Sequence, residues 1–328
     1  MSNKTLRFII LIFAILICHG LAAGQTTQGK QPLDLTSDDF ARTRDLTGDI
    51  TGGKSVFVFK KKPIYRLKRI KKPVRPVPAK PDVAKGAEKS ARYNLPVDAK
   101  SAEVWKRLGV TIWRLASDKD AVGADKGAAR IKAPDASQQY VPTRVSAETK
   151  FEPGDKVRLS FESPNPGYLY VIDRELYADG TVGQPILVFP TMMARGGNNR
   201  IDAGQMIEIP TQSDRVPYFT LESRNKNWRG ELLTVIVSPE PLKDVEIPDG
   251  PSPIAAALFD AIENKYLKSI TEYEQLGTEG NAYTKAEKKA GGSLTRELTQ
   301  KDPFPQTMFR VKMRQREPML VNFGLTVK

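Results

Sequence analysis

The sequence predicts a mainly β protein: an antiparallel β-sandwich or partly closed barrel with a C-terminal helical insertion, preceded by a signal peptide and a disordered basic arm. Three observations support this fold class. Short alternating apolar and polar runs, separated by turn residues, begin near residue 105; a stripe of helical spacing follows; and a run dense in Lys, Arg and Pro precedes them. The predicted parts are residues 1–24 (signal peptide), 25–98 (arm) and 99–328 (one β-rich domain).

The first segment has the pattern of a secretory signal peptide. Lys4 and Arg7 precede an uninterrupted apolar run from Phe8 to Cys18, and small residues follow at 22–24. A positive start, about 7–15 apolar residues and small residues before the cut define such a signal. A retained anchor is the alternative, although spanning a bilayer takes about 20 apolar residues. We therefore expect an exported bacterial envelope protein, periplasmic or secreted, with no transmembrane span in the mature chain.

The composition limits the chemistry that the mature chain can perform. The 328 residues include one Cys and one His, Cys18 and His19, and both lie in the predicted leader. Without them the chain has no disulfide, no Cys or His nucleophile or base, and none of the usual zinc ligands. We predict no catalytic residue, metal site or cofactor. Carboxylate chemistry stays open because Asp and Glu are plentiful.

The formal net charge of +13 is concentrated in one segment. From Lys54 to Arg92 there are 14 Lys or Arg and two acidic residues, so this stretch carries +12. Five prolines between Pro63 and Pro81 oppose helix and sheet, so we expect an extended arm. It is either a solvated spacer or an electrostatic tether to anionic lipid or envelope polymer, and export argues against nucleic acid. The candidate contacts are Lys60, Lys61, Lys62, Arg66, Lys68, Arg69, Lys71, Lys72 and Arg75.

Three short motifs match active-site patterns without the structural context that those patterns need. Gly48–Ser55 fits the phosphate-loop spacing, but the residues before it are polar and lack strand patterning. Asp118–Ala129 begins like a calcium loop but has Val122 at a ligand position. Ser223–Lys226 has Ser–Lys spacing, and its partner motifs are missing. None of the three supports an enzymatic function.

The body has the pattern of short strands joined by turns. Along residues 155–162 the apolar side chains at odd positions are predicted to face the core, and Lys156, Arg158 and Ser160 to face water. The apolar stretch Val56–Phe59 is expected to form a further strand, on the body or on a partner. The predicted strands of the body are 110–115, 155–162, 168–172, 185–189, 205–209, 218–221 and 231–237.

Several of these pieces follow one another in a characteristic order. Phe151–Asp155 precedes Gly167–Ile172, and then come Ile186–Pro190, Ile207–Pro210 and a closing strand, Glu231–Ser238. Over about residues 105–240 this order resembles the bacterial family called domain of unknown function 4384. The resemblance implies an extracytoplasmic, β-rich accessory domain, and it implies no activity or catalytic residue.

The segment Thr191–Arg200 is the best candidate contact loop of the body. It is long, Gly-rich and cationic, and it joins two predicted strands. Loops of this kind often carry binding residues, and the alternative is a flexible hairpin connection. The candidate loop contacts are Arg195, Asn198, Asn199 and Arg200.

The C-terminal third combines helical and strand patterns. Ser252 and Pro253 favour a helix start, and apolar residues recur every four positions from Ile254 to Ile270, with Gly277 as the stop. A capping box at residues 284–287 predicts a second helix, ended by two glycines. The closing hairpin, about 307–327, is expected to rejoin the sheet beside residues 110–115. The helices (about 252–300) then cover one face, and partner binding is the alternative role of the stripe.

These observations favour an exported, non-catalytic envelope protein. In this interpretation the sandwich binds or scaffolds a protein or glycan partner, and the arm is a tether or spacer at an anionic layer. The alternatives are a carboxylate-based hydrolase acting on an envelope polymer and a structural component of a surface or secretion assembly. A hydrolase should have a concave pocket with two acids within about 5–10 Å of each other.

Deletion of residues 25–95 is expected to leave the body folded, because this segment has almost no core-like pattern. The measurement is thermal unfolding of the deleted chain beside the mature chain. A loss of cooperative unfolding would contradict both the spacer and the tether interpretations. The strand-like residues Val56–Phe59 would then be examined first.

Overall fold

The computed structural model describes the backbone of residues 57–60 and then residues 103–118, 127–134, 137–268, 270–275, 277–293, 298–299 and 302–328. Two β-sheets pack face to face, and neither closes into a barrel. The predicted mainly β class with two sheets is confirmed. The predicted leader and most of the predicted arm lie outside the described residues, as do the phosphate-loop match and part of the calcium-loop match.

The strands and helices follow in chain order. The strands are β1 Phe57–Lys60, β2 Glu103–Ser117, β3 Ile131–Lys132, β4 Gln139–Val145, β5 Lys150–Phe151, β6 Lys156–Glu162, β7 Gly167–Tyr177, β8 Ile186–Phe189, β9 Arg200–Ile201, β10 Met206–Ile209, β11 Phe219–Thr220, β12 Trp228–Ser238, β13 Ser252–Pro253, β14 Thr271–Gln275, β15 Thr307–Arg314 and β16 Met319–Val327. The helices are α1 Ala256–Tyr266 and α2 Lys285–Gly291. A 3-10 turn lies at Arg195–Gly197.

The first sheet is organised around the long strand β2. In the described residues its order is β1-β14-β15-β2-β4-β3, and β6 pairs with β2, β10 and β11. Residues 103–110 of β2 pair with β15 and residues 112–117 with β4, while β6 pairs along residues 109–115 on the opposite edge. All of these pairs are antiparallel.

The second sheet has the order β13-β8-β7-β12-β16-β5, with β9 paired to β7. Its centre is the pair of long strands β7 and β12, and β16 lies antiparallel to β12 on the other side. The one parallel pair among the described strands joins β16 to β5. The sheet contains the stretch 167–172, whose apolar residues on both faces are expected of a central strand.

The main apolar core lies between the two sheets. Leu108, Val110 and Phe161 of the first sheet and Val171 of the second are almost fully buried in it. Phe309 of β15 stacks on Phe323 of β16, with ring centroids 5.8 Å apart. Alternation along each strand therefore places one set of side chains in this core, as the sequence predicts for residues 157, 159 and 161.

The outer faces of both sheets are also covered. On the second sheet, α1 contributes Phe259 to a cluster with Tyr170, Ile172 and Leu320. On the first sheet, Trp113 packs edge-on against Tyr283, with centroids 4.8 Å apart. Ala290 of α2 packs with Met206 and Leu298 in a further small cluster. The two helices thus lie on different sheets, so the expectation that both cover one face is wrong.

Three arginines are buried on these outer faces, each paired with a glutamate. Arg158 of β6 lies 2.9 Å from Glu208 of β10, and both side chains are 1% exposed. Arg144 of β4 pairs with Glu287 of α2, and both are buried. Arg174 of β7 lies 3.0 Å from Glu263 of α1. The prediction that Arg158 and Ser160 face water is therefore wrong, because described residues of the C-terminal region, including Tyr283 and Phe304, cover this side of the sheet. Lys156 of the same set is only partly exposed.

The helical region differs from its prediction in three ways. Ser252 and Pro253 form β13 against β8 rather than the start of a helix. Helix α1 ends at Tyr266, and the chain then enters β14, a strand that the sequence did not predict. Ile270, the last member of the predicted stripe, packs against the core between the sheets. The capping box of α2 is confirmed: Thr284 Oγ1 accepts a hydrogen bond from the Glu287 amide at 3.1 Å.

The closing segment joins the two sheets. Strand β15 rejoins the first sheet on β2, but it pairs with residues 103–110 rather than with the expected residues 110–115. Residues 112–115 pair with β4 and β6 instead. Strand β16 pairs with β12 in the second sheet, and β15 and β16 do not pair with each other. The prediction of a hairpin is therefore also wrong, because its two strands lie in different sheets and meet through their side chains in the core.

Replacement of Arg158 by Ala is expected to lower the free energy of unfolding by about 3–5 kcal/mol, because it leaves Glu208 without its buried cation. The matched control is Arg200→Ala, which removes a pair whose side chains are 54% and 42% exposed and should change stability little. Chemical denaturation of both variants measures the difference. Equal stabilities would show that the buried pair of Arg158 and Glu208 adds no more to stability than an exposed pair does.

Candidate functional site

The arm meets the body at the edge of the first sheet. The predicted strand near residues 56–59 is found at Phe57–Lys60, as β1, and it pairs antiparallel with β14 of the body. Of the nine candidate arm contacts, Lys60 is in this strand, opposite Glu272. The other eight, Lys61, Lys62, Arg66, Lys68, Arg69, Lys71, Lys72 and Arg75, lie outside the described residues.

The loop between β8 and β9 is held by hydrogen bonds at its start. The amide of Ala194 donates to Thr191 Oγ1 at 3.2 Å. The amides of Met192 and Met193 donate to the carbonyls of Pro248 and Asp249, at 2.8 and 2.9 Å. These contacts tie the loop to the connection between β12 and β13, so its conformation is set by a neighbouring segment.

The four predicted loop contacts have different environments. Asn199 is buried, and its Nδ2 donates to the Leu169 carbonyl at 3.0 Å, which anchors the loop to β7. Asn198 is exposed, and its side chain accepts from the Arg200 amide at 3.1 Å. Arg200 is exposed and pairs with Asp202 at 2.9 Å. Arg195, Asn198 and Arg200 therefore reach the surface, whereas Asn199 supports the loop from inside.

Arg195 has the most unusual backbone in this loop. Its φ of 56° lies in the left-handed region, and it is the one non-glycine residue with positive φ among the described residues. A non-glycine residue in this region costs about 1–3 kcal/mol and persists where its surroundings hold it. Burial lowers the pKa of its guanidinium, and Asp202 opposes this shift. The loop thus holds a partly buried cation in a strained conformation.

An apolar surface lies beside these residues that the sequence did not predict. Met192 and Met193 are 50% and 75% exposed, and Ile247 is 42% exposed. A side chain added at Gly197 would lie 3.0 Å from Met192 Sδ and 3.2 Å from Ile247 Cγ2, so these two residues border one spot. We call Met192, Met193, Arg195 and Ile247 the loop surface. The two consecutive methionines in a loop could have indicated this surface from the sequence. The contribution of Ile247 could not be predicted, because the tertiary fold places it there.

A cluster of acids lies where β7 and β12 run together. Glu175 stands directly opposite Glu231 in the ladder, and Asp173 is two positions along from Glu175. Trp228 Nε1 donates to Glu231 at 3.0 Å. The hydroxyl groups of Tyr177 and Ser223 donate to Glu175, at 2.6 and 2.5 Å. Since Asp173 and Glu231 are 58 positions apart, sequence spacing could not reveal that they meet.

The pKa values of this cluster are separated. Burial raises the pKa of Glu231 to about 9, and the neighbouring carboxylate of Asp173 adds to the shift. Burial raises the pKa of Asp173 to about 6, while hydrogen bonds, including one with Glu231, oppose that rise. At neutral pH Glu231 is therefore protonated and Asp173 is mostly ionised, with a hydrogen bond between them.

Two open hollows are lined by described residues of the body. One, of about 670 Å³, is lined by Glu175, Glu222, Ser223, Arg224 and Asn225. Neither Asp173 nor Glu231 lines it, so the pair with separated pKa values does not face this space. The other, of about 610 Å³, lies between α1 and the connection after β12, with both apolar and charged groups in its wall.

The chemistry of the described residues adds two findings. Within them, no group of three or more His, Cys, Asp or Glu side chains is arranged to hold a metal ion. In the same part of the chain, no helix has the length and apolar character needed to cross a membrane.

Comparison of the chain with protein-family models, curated proteins and solved structures gave no match. The resemblance to domain of unknown function 4384 stays a prediction. The functional proposal therefore depends on the charges, contacts and surfaces of this chain.

Replacement of Glu231 by Gln is expected to make the decrease in folding stability with rising pH smaller. The folded-state pKa of Glu231, about 9, lies above its ordinary value of 4.5, so the stability that this group contributes is full below about pH 4.5 and is lost as the pH rises through about 9. Glutamine keeps an acceptor for Trp228 and cannot ionise. The measurement is thermal unfolding from pH 5 to pH 10.

The control for this series is Glu240→Gln, because Glu240 is exposed and outside the cluster. Its unfolding temperature should follow the parent chain at every pH. Parallel curves for the parent chain and Glu231→Gln would show that Glu231 does not hold its proton in the folded state.

Proposed function

We propose that the protein is an exported, non-catalytic envelope protein whose basic arm is an electrostatic tether to an anionic layer and whose sandwich is a binding or scaffolding module. The observation that supports this is the separation of charge along the chain. Residues 54–92 carry +12, whereas residues 93–328 carry 32 basic and 31 acidic side chains, a net +1. A uniformly basic protein would instead distribute its charge over the body.

The position of β1 supports a tether that is fixed to the body. Four residue pairs join β1 to β14, and the basic run continues directly from Lys60 into Lys61 and Lys62. Each Lys or Arg near an anionic surface can contribute about 1 kcal/mol of binding free energy. A segment with nine such residues between Lys60 and Arg75 therefore has ample charge to hold the body at an anionic lipid or polymer layer.

The loop surface supports a separate contact of the body with a protein partner. Met and Arg are enriched in the centres of protein interfaces, and the flexible thioether of Met adapts to different partner shapes. Met192, Met193 and Ile247 supply an apolar centre, and the half-buried Arg195 lies in the same loop. A glycan partner is less favoured because the loop surface contains no aromatic side chain.

One observation favours a hydrolase as the second candidate function. Asp173 and Glu231 form a hydrogen-bonded carboxyl pair with separated pKa values, an arrangement that acid–base catalysis uses. Against it, the pair does not line the neighbouring hollow. Incubation of the parent chain and Asp173→Asn with purified envelope polymer tests this candidate. Release of fragments by the parent chain alone would favour it over the binding function.

Binding to an anionic layer is expected to depend on the arm and on salt. The measurement is co-sedimentation of the mature chain with its own envelope fraction and with anionic vesicles, over a salt series. Substituting Gln for the nine candidate arm residues should abolish most binding at low salt, since this binding is electrostatic and is weakened by salt.

A charge-matched control separates the arm from net charge. It replaces six Lys and three Arg of the body by Gln, all exposed: Lys132, Lys150, Arg215, Arg224, Lys226, Lys243, Lys285, Lys289 and Arg316. This control should retain binding, because the arm is intact. Equal losses of binding in both variants would show that binding depends on net charge and not on the arm. Salt-resistant binding in both variants would indicate that the sandwich carries the recognition.

A further inference from the structure

The outermost strand of the first sheet is contributed by a distant part of the chain. Strand β1 pairs with β14 and, among the described strands, with no other. Phe57 stands opposite Gln275, and Lys60 stands opposite Glu272, so the paired residues are more than 200 positions apart in the sequence. The contact of β1 with the body therefore depends on one short antiparallel ladder at a sheet edge.

The connection from β1 to the next described strand is long. Residues 61–102, which lie between Lys60 and Glu103, number 42. At about 3.3–3.6 Å per residue, this length can reach as far as about 140 Å. A domain of about 230 residues has a radius of gyration of about 17 Å. The connection can therefore span several body diameters, and β1 can reach the same edge on a neighbouring molecule.

We propose that the β14 edge is an interaction surface for a second copy of this chain, which binds by exchanging β1: Phe57–Lys60 of each copy pairs with Thr271–Gln275 of the other. Exchange needs no new complementarity, because every contact that β1 makes within one chain is made again between two. The partner is a second copy because the strand that already pairs with this edge, β1, is carried by every copy of the chain. The edge needs an extended strand, since only a strand satisfies its unpaired backbone groups.

The balance between the two arrangements depends on concentration. A strand on a flexible linker competes for its own edge at an effective concentration in the millimolar range. We therefore expect chains to be monomeric at micromolar concentration and reciprocally exchanged dimers as the concentration approaches the millimolar range. This exchange does not require the anionic layer, so it can fail or succeed independently of the proposed tether.

Disulfide trapping in the full chain tests the exchange. All variants have Cys18→Ser, which removes the one native cysteine. Phe59→Cys and Tyr273→Cys are made as separate chains, because these positions are directly opposed in the ladder. Opposed residues of antiparallel strands have Cα atoms about 4.5–5.5 Å apart, within the range of a disulfide. Oxidation of the two chains mixed from micromolar to millimolar concentration should give a disulfide-linked dimer whose yield rises with concentration.

The double variant, with both substitutions in one chain, is the reference for pairing within a molecule. It should form an internal disulfide at micromolar concentration and linked dimers at high concentration. The register control combines Phe57→Cys with Tyr273→Cys, which stand two positions out of register and should link poorly. Phe57→Cys with Gln275→Cys repeats the experiment at a second opposed pair, in case the first pair prevents folding.

Three results would overturn the proposal. Internal disulfides in the double variant at all concentrations, with no linked dimer in the mixture, would show that β1 pairs only within its own chain. Failure of both opposed pairs to form any disulfide in folded chains would show that β1 does not occupy this edge. A linked dimer in the register control at equal yield would indicate random collision and would also contradict the exchange.

Discussion

The burial of arginine side chains on the outer sheet faces is the constraint on which the rest of the structure depends. A buried guanidinium without a carboxylate costs several kcal/mol, so each must be met by an acid from elsewhere in the chain. Arg144 is met by Glu287 and Arg174 by Glu263, and both glutamates lie on helices. The positions of α1 and α2 are therefore determined by charge as well as by apolar contact. Because each helix also brings an apolar residue, Phe259 or Ala290, the two requirements agree.

This covering leaves the chain few places at which to meet a partner. Much of both outer faces is occupied by the chain itself, so what remains are loops, hollows and sheet edges. The loop surface around Met192 and Met193 is an example of a loop, and the β14 edge is an example of a sheet edge. Each is formed where a segment leaves a sheet, which is where side chains can be exposed without disturbing the core. The two surfaces are made by different sheets, so a contact at one need not displace a contact at the other.

Much of the fold could be predicted from the sequence, because strand alternation reports local structure. Residues 155–162 alternate clearly, and Lys156–Glu162 form β6; the Thr284–Glu287 spacing correctly placed the start of α2. Alternation identifies two faces but not what covers the second, so Arg158 was expected in water and lies buried. The predicted helical stripe extended too far, to Ile270, because this residue is also packed against the core although it lies after the end of α1. The pair of Asp173 and Glu231 could not be predicted, since strand pairing alone brings these residues together.

The treatment of charge in the body also bears on what the arm can bind. Six acidic side chains of the described residues are buried, Glu162, Glu208, Glu272, Glu274, Glu287 and Asp302, against four basic ones, Lys106, Arg144, Arg158 and Arg174. Residues 93–328 have a net charge of only +1, so burying more acids than bases leaves their surface without an excess of negative charge. Such a body offers the arm little electrostatic attraction, and its own like charges add a weak repulsion. The +12 of the arm is therefore not matched by an excess of negative charge in residues 93–328, and an anion outside the molecule is the partner that the charge distribution favours.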